Sequence, residues 1–137
     1  MAAVSNSKTF PRSRAVATAH LALIGCNHRT APVELRERVA FTSEQALEAA
    51  GELRKRGILE EAVVLSTCNR SELYGVPADS GAAVTDAMED FLTSYHRISP
   101  AELHGRTYRW FGSDAVRHLF RVAVDLLRCL KLRLGLS

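Results

Sequence analysis

From His20 onward the hydrophobic and polar positions switch between two periods, and the switches lay out the elements of one domain. His20 to Asn27 is an apolar run with Gly25 near its end, of strand rather than helix length. Pro32 opens a short helix over Val33 to Val39, in which acids precede bases. After Phe41, Thr42 or Ser43 supplies an N-cap ahead of Glu44 and Gln45. The helix that follows is expected to carry Ala46, Leu47, Ala50 and Leu53 on one face until Gly57 stops it. Glu61 to Ser66 holds the run Ala62, Val63, Val64, Leu65 and reads as a buried strand; Thr67 to Arg70 is the loop at its carboxyl end. Ser71 to Val76, closed by Pro77, is a strand antiparallel to it.

Ala82 to Tyr95 places Val84, Ala87, Met88, Phe91 and Leu92 at helical spacing, and Ile98 to Leu103 is a connector containing Pro100. Thr107 to Phe111 is a short aromatic strand, after which Ser113 is expected to cap a last helix. Its apolar positions include Val116, Leu119, Phe120 and Val122 or Ala123. The order β, α, β, β, α, β, α predicts an α+β domain with a ferredoxin-like, split β-α-β antiparallel sheet, helices on one face and a C-terminal helix. In such a sheet the first strand lies at the centre.

Length agrees with that count: 137 residues give room for one domain, and 47% hydrophobic with 24% charged residues is the composition of an ordinary folded protein. No apolar run approaches the roughly 20 residues that cross a bilayer, so no membrane span is expected. Cys26, Cys68 and Cys129 are odd in number and lack a C-x-x-C pair, which suggests neither a disulfide framework nor a metal site. A reducing compartment, most simply the cytoplasm, follows. The net charge of +3 conceals a division, because residues 1 to 33 carry +4, residues 121 to 137 carry +3, and the middle is acidic at −4. Nucleic-acid binding driven by charge needs basic residues on one folded face, and here the excess sits at the two ends. Residues 1–19 contain no Asp or Glu and show no periodicity. They read as a disordered leader, either an untrimmed tail or, as the lesser expectation, an organellar targeting segment.

Three stretches carry chemistry. In Leu65-Ser66-Thr67-Cys68-Asn69-Arg70-Ser71-Glu72-Leu73-Tyr74 a thiol lies in a loop after a buried strand, beside hydroxyls, an amide and a guanidinium. Arg70 would favour the thiolate if it lies close to the sulfur, and its forked donors suit a carboxylate. Free cysteines are also often buried and inert, so spacing alone leaves both readings of Cys68 open. Gly25-Cys26-Asn27-His28-Arg29-Thr30-Ala31-Pro32 leaves the first strand; it is either a solvated turn or, given the central strand, a neighbour of the Cys68 loop. His118-Leu119-Phe120-Arg121-Val122-Ala123 holds a lone histidine on a partly apolar helix, a position that suits a structural residue as well as a proton carrier.

Taken together, G-C-N-H-R-T-A-P-V-E-L-R-E-R-V-A-F, V-V-L-S-T-C-N-R-S-E-L-Y and A-V-R-H-L-F-R-V-A resemble the amino-terminal catalytic domain of glutamyl-tRNA reductase, from about Leu21 to Ala123 and in the family's order. The resemblance implies an NADPH-dependent oxidoreductase that converts glutamyl-tRNA to glutamate-1-semialdehyde, at the entry to tetrapyrrole and porphyrin synthesis. By the same resemblance Cys68 is the nucleophile that holds glutamate as a thioester. Thr67, Asn69 and Arg70 fall on substrate-binding positions, Arg70 being suited to the side-chain carboxylate. His118 falls on a histidine important for activity, through proton transfer or positioning.

The resemblance implies 20–123 as the catalytic domain and leaves 124–137 as a divergent tail. Arg128 stands where a substrate-contacting serine is expected, and Arg133, Leu134 and Gly135 stand in place of Glu-Pro-Gln. No Gly-rich phosphate turn occurs, so no bound cofactor is expected for this chain, and the helical dimerisation domain of the homodimeric family is not encoded. A frameshift or premature stop after Ala123 is the expectation, a genuine short protein its alternative. The functional expectation is the thioester-forming half of the reductase, without completion of the reduction. Against it stand a non-catalytic module that binds charged tRNA or a reductase partner, and an unstable truncated product.

Overall fold

The computed structural model describes residues 21–79 and 83–133; the leader expected over 1–19 lies outside them. Within them the chain forms β1 (Ala22–Asn27), α1 (Val33–Arg38), α2 (Ser43–Lys55), β2 (Leu59–Ser66), β3 (Arg70–Pro77), α3 (Val84–His96), α4 (Pro100–Leu103), β4 (Tyr108–Phe111) and α5 (Gly112–Arg133). The sheet order is β2-β3-β1-β4 with every neighbouring pair antiparallel. This is the α+β, ferredoxin-like arrangement expected, with β1 at the centre. No helix among the described residues is long and apolar enough to cross a membrane.

Local chemistry explains the punctuation. Thr42 caps α2 by accepting from the Gln45 amide at 3.1 Å, while Gln45 Oε1 accepts from the Thr42 amide at 2.9 Å, a reciprocal capping box. Gly57, at φ +73°, ends the helix where a side chain would be strained. The connector around Pro100 is itself a short helix, because Ser99 and Glu102 form a second capping box around that proline. α5 begins at Gly112, one residue before the expected cap at Ser113, as the Gly112 amide is tied to the Leu21 carbonyl at 2.7 Å.

The main core lies between one sheet face and the helices α1 to α4. Ala22, Ile24, Cys26, Leu73, Ala49, Leu53, Met88, Phe91 and Leu92 meet there. The stripe that α2 buries runs through Ala46, Ala49 and Leu53; Leu47, expected on that face, is 79% exposed because it sits about 100° around the helix from Ala46. The second sheet face is covered by α5 through Ala115 and Val122. Leu119 and Phe120, expected as apolar contacts, point outward. The inward positions are Ala115, His118 and Val122, spaced three and four apart, so the histidine belongs to the buried stripe.

His96 lies against the rings of Phe41 and Tyr95, with Nε2 buried and unpartnered. Burial lowers its pKa below the ordinary 6.5, only partly opposed by a hydrogen bond to the Val39 backbone. Below about pH 6.5 the unfolded chain therefore takes up a proton that the folded chain refuses, and stability falls with pH. In urea titrations between pH 7.5 and 5.5 (about one unit either side of that value), the wild type is expected to lose more stability than His96→Phe. An equal loss would show that the ring charges freely in the fold. At a single pH, Leu53→Ala is expected to cost about 2–5 kcal/mol and Leu47→Ala less than about 0.5 kcal/mol.

Candidate functional site

The three chemistry-bearing stretches converge at one end of the sheet. Asn27, the last residue of β1, pairs with Arg70, the first of β3, which brings the exit of β1 beside the Cys68 turn. Thr67, Cys68 and Asn69 form the tip of the β2–β3 hairpin. There the Thr67 amide donates to the Arg70 carbonyl at 2.8 Å, and the Asn69 amide to Thr67 Oγ1 at 3.2 Å. Cys68 and Asn69 are exposed, and Thr67 is half-buried. Below the tip, Ser66 Oγ lies 3.0 Å from Ser71 Oγ and accepts from the Phe41 amide at 2.9 Å, so the hairpin is pinned to the chain ahead of α2.

Of the other cysteines, Cys129 is exposed on α5 and Cys26 is buried. Burial raises the Cys26 thiol to about 11, which outweighs a hydrogen bond with the Ser71 backbone and the charge of Arg36. This makes Cys26 a core residue with little thiolate at neutral pH.

The guanidinium that reaches the Cys68 turn is that of Arg36 on α1. Its Nη1 donates to the Cys68 carbonyl at 3.1 Å and its Nε to the Ala31 carbonyl at 3.2 Å. Arg36 thus joins the β1 exit to the thiol loop, a role its sequence context, a helical position among charges, does not signal. Arg70 turns the other way. Its Nη1 lies 3.3 Å from Glu72 Oε2 and its Nη2 3.8 Å from Asp125 Oδ2.

Glu72 is the centre of this arrangement and was not singled out by sequence reasoning. Its side chain is fully removed from solvent, yet it accepts from Tyr74 Oη at 2.7 Å, Tyr108 Oη at 2.5 Å, His118 Nε2 at 2.6 Å and Arg70 Nη1 at 3.3 Å. Burial pushes the carboxyl pKa up, but the hydrogen bonds from Tyr108, His118 and Tyr74 outweigh it, and the net displacement is downward. The same burial and the same carboxylate hold both tyrosine hydroxyls above their ordinary range. His118 therefore meets Arg70 at Glu72, whereas Cys68 stands outside this cluster on the turn. The sequence carries no distinct signal for Glu72, because it follows Arg70 and Ser71 in a strand whose start is polar.

The sheet register makes the cluster possible. Glu72 on β3, Gly25 on β1 and Tyr108 on β4 occupy one row. A Cβ at Gly25 would lie 2.7 Å from Glu72 Cγ and 2.8 Å from the Ser71 carbonyl oxygen. The missing side chain is the space in which the carboxylate crosses to Tyr108.

The sequence profile described as "Glutamyl-tRNAGlu reductase, N-terminal domain" matches residues 24–127. The chain belongs to this family. It is 48% identical over 106 residues to a glutamyl-tRNA reductase of Marinobacter nauticus, covering 77% of this chain and 24% of that protein. It is 50% identical over 103 residues to one of Pseudomonas entomophila, covering 75% and 24%. Among solved structures, glutamyl-tRNA reductase from Methanopyrus kandleri superposes with a TM-score of 0.58 at 31% identity, over 77% of this chain and 22% of that one. The chain thus spans about a quarter of the length of the family members it matches.

Gly25→Ala is expected to destabilise the domain by about 1–3 kcal/mol through overpacking, and to disturb Glu72 in particular. Chemical denaturation gives the cost. A crystal structure or NMR shift map localises it to Glu72, Tyr108 and His118 rather than to the α2–α3 core.

Proposed function

We propose that this domain carries out the acyl-transfer half of glutamyl-tRNA reduction, in which the Cys68 thiol takes the glutamyl group from charged tRNA and holds it as a thioester. The observation that carries the reading is the placement of Cys68 at the exposed tip of a turn held by Arg36 and Ser66, next to the buried cluster of Arg70, Glu72 and His118. Sulfur attacks the ester carbonyl carbon, the C–S bond forms and the bond to the 3′ oxygen of the tRNA breaks. The proton lost by the thiol ends on that oxygen, so thiol and ester become thioester and hydroxyl. His118 is the group assigned to move it. Thr67 and Asn69 supply hydroxyl and amide groups at the turn, and Arg70 offers Nη2 to the glutamyl carboxylate, which takes the place that Asp125 now occupies. The cytoplasm, where charged tRNA is available, is the compartment this reading assigns.

NADPH is the reductant the resemblance implies for the family, and the described residues do not fit a dinucleotide. The turn from β4 into α5 has one glycine, its amide already bound by Leu21, and Asp114 in the first helical turn would repel a pyrophosphate. The passage from β1 into α1 ends at Pro32, which has no N–H to offer. No reduction is assigned to this chain; its thioester is resolved by water, which breaks the C–S bond and returns glutamate and the free thiol. A second reading, binding of glutamyl-tRNA without turnover, draws on the Arg70–Asp125 contact, which already matches the guanidinium.

Incubating the full chain with glutamyl-tRNA and quenching in acid separates the two. The expected result is a glutamyl adduct on the Cys68 peptide, released by hydroxylamine and absent from Cys68→Ser. Retention of the tRNA with no adduct on Cys68 would establish the binding reading, and an adduct distributed equally over Cys68 and Cys129 would remove the proposed nucleophile.

A further inference from the structure

Glu72 has a consequence for His118 that follows from counting protons. An ionised carboxylate can only accept, so each of its four partners must donate. The hydroxyls of Tyr74 and Tyr108 keep their protons and the guanidinium of Arg70 always does. The imidazole nitrogen 2.6 Å from Glu72 Oε2 is Nε2, and it too must carry hydrogen. A half-turn of the ring would put a C–H where that donor stands. Tyr108 lies across the ring, with centroids 5.1 Å apart, and Trp110 runs nearly parallel to it at 6.3 Å and 27°.

We infer that Glu72 is the positioning residue of this site, fixing His118 as the Nε2–H tautomer and leaving Nδ1 as the nitrogen that exchanges protons with a reacting group. One carboxylate oxygen holds both Arg70 and His118. The residue assigned to the substrate carboxylate and the residue assigned to the proton are thereby set by a single anchor. The tautomer stands on the hydrogen-bond geometry around an ionised Glu72; its use in acyl transfer rests on the function proposed above. Glu72 touches no substrate in this scheme and acts through the two side chains it holds.

The test uses the full chain with nitrogen-15 histidine, in proton–nitrogen spectra at about pH 8.5, about two units above the ordinary imidazole value. His28 and His104, both exposed, are internal standards for a freely exchanging ring. The expected result is a single Nε2–H tautomer at His118 with a ring N–H signal protected from solvent, retained in Tyr74→Phe. A Nδ1–H tautomer, or a mixture like that of His28 and His104, overturns the inference. In single-turnover transfer from saturating glutamyl-tRNA, Glu72→Gln is expected to slow acylation of Cys68 about 100-fold. A wild-type rate in that variant also overturns the positioning role. Should Glu72→Gln fail to fold, the wild-type and Tyr74→Phe spectra still decide the tautomer. If the wild type forms no thioester while its spectrum shows Nε2–H, the acyl-transfer reading falls and the tautomer assignment stands.

Discussion

A carboxylate taken wholly out of water is tolerated in a protein only when donors replace the water it leaves. Glu72 meets that condition with two phenols, an imidazole and a guanidinium. Much of the second sheet face is arranged around it. Gly25 has no side chain because Glu72 lies over it, Tyr108 and Tyr74 come from strands on either side of β1, and α5 covers the row with Ala115, His118 and Val122. Removing any one donor leaves the others facing an undercompensated charge, so these residues act as a set.

The set also ties folding to chemistry. Arg70 and His118, far apart in sequence, are held by the same oxygen atom, whereas the Cys68 turn is held by the Arg36 guanidinium and by the Thr67–Arg70 backbone bond. The thiol loop and the charged cluster are therefore separately built, and β3 connects them because Arg70 is at once the end of the turn and the first residue of that strand. A buried cluster beside an exposed thiol is the division of labour that the proposed acyl transfer asks for, with proton transfer and substrate contacts made by groups other than the nucleophile.

Most of the fold was legible in the sequence because periodicity reports burial on one side of an element. The four strands and the helices over 43–55 and 84–96 follow from that signal, although β2, expected as a buried strand, lies at the sheet edge with Val63 61% exposed; the central place of β1 follows from the split topology instead. It failed where two apolar residues compete for one face. Leu47 is a stronger hydrophobe than Ala49, and Leu119 and Phe120 outweigh Ala115, yet in each helix the smaller residue is the one that sits against the sheet. Small side chains allow close approach of helix to strand, and no hydrophobicity scale rewards them for it. Glu72 was illegible for the opposite reason, since an isolated acid in a strand reads as solvent-facing until the row that covers it is known. Arg36 was hidden because its helix-surface pattern is identical whether its guanidinium meets water or a carbonyl.

The family profile runs to residue 127, and the geometry of α5 joins the residues after Ala123 to the site. Positions 115, 118, 122 and 125 advance by three, four and three residues and so share one face of the helix. Asp125 is the outermost of them, and it is the residue whose carboxylate comes within 3.8 Å of Arg70. It is more than half exposed, so the pair adds little to stability. Its importance is positional, because Arg70 Nη1 is engaged by Glu72 and the Asp125 carboxylate stands at Nη2, the position proposed above for an incoming carboxylate. One residue either way, a rotation of about 100°, would have pointed away from the guanidinium. The helical register, rather than the composition of the tail, therefore decides which of its side chains can act on the site.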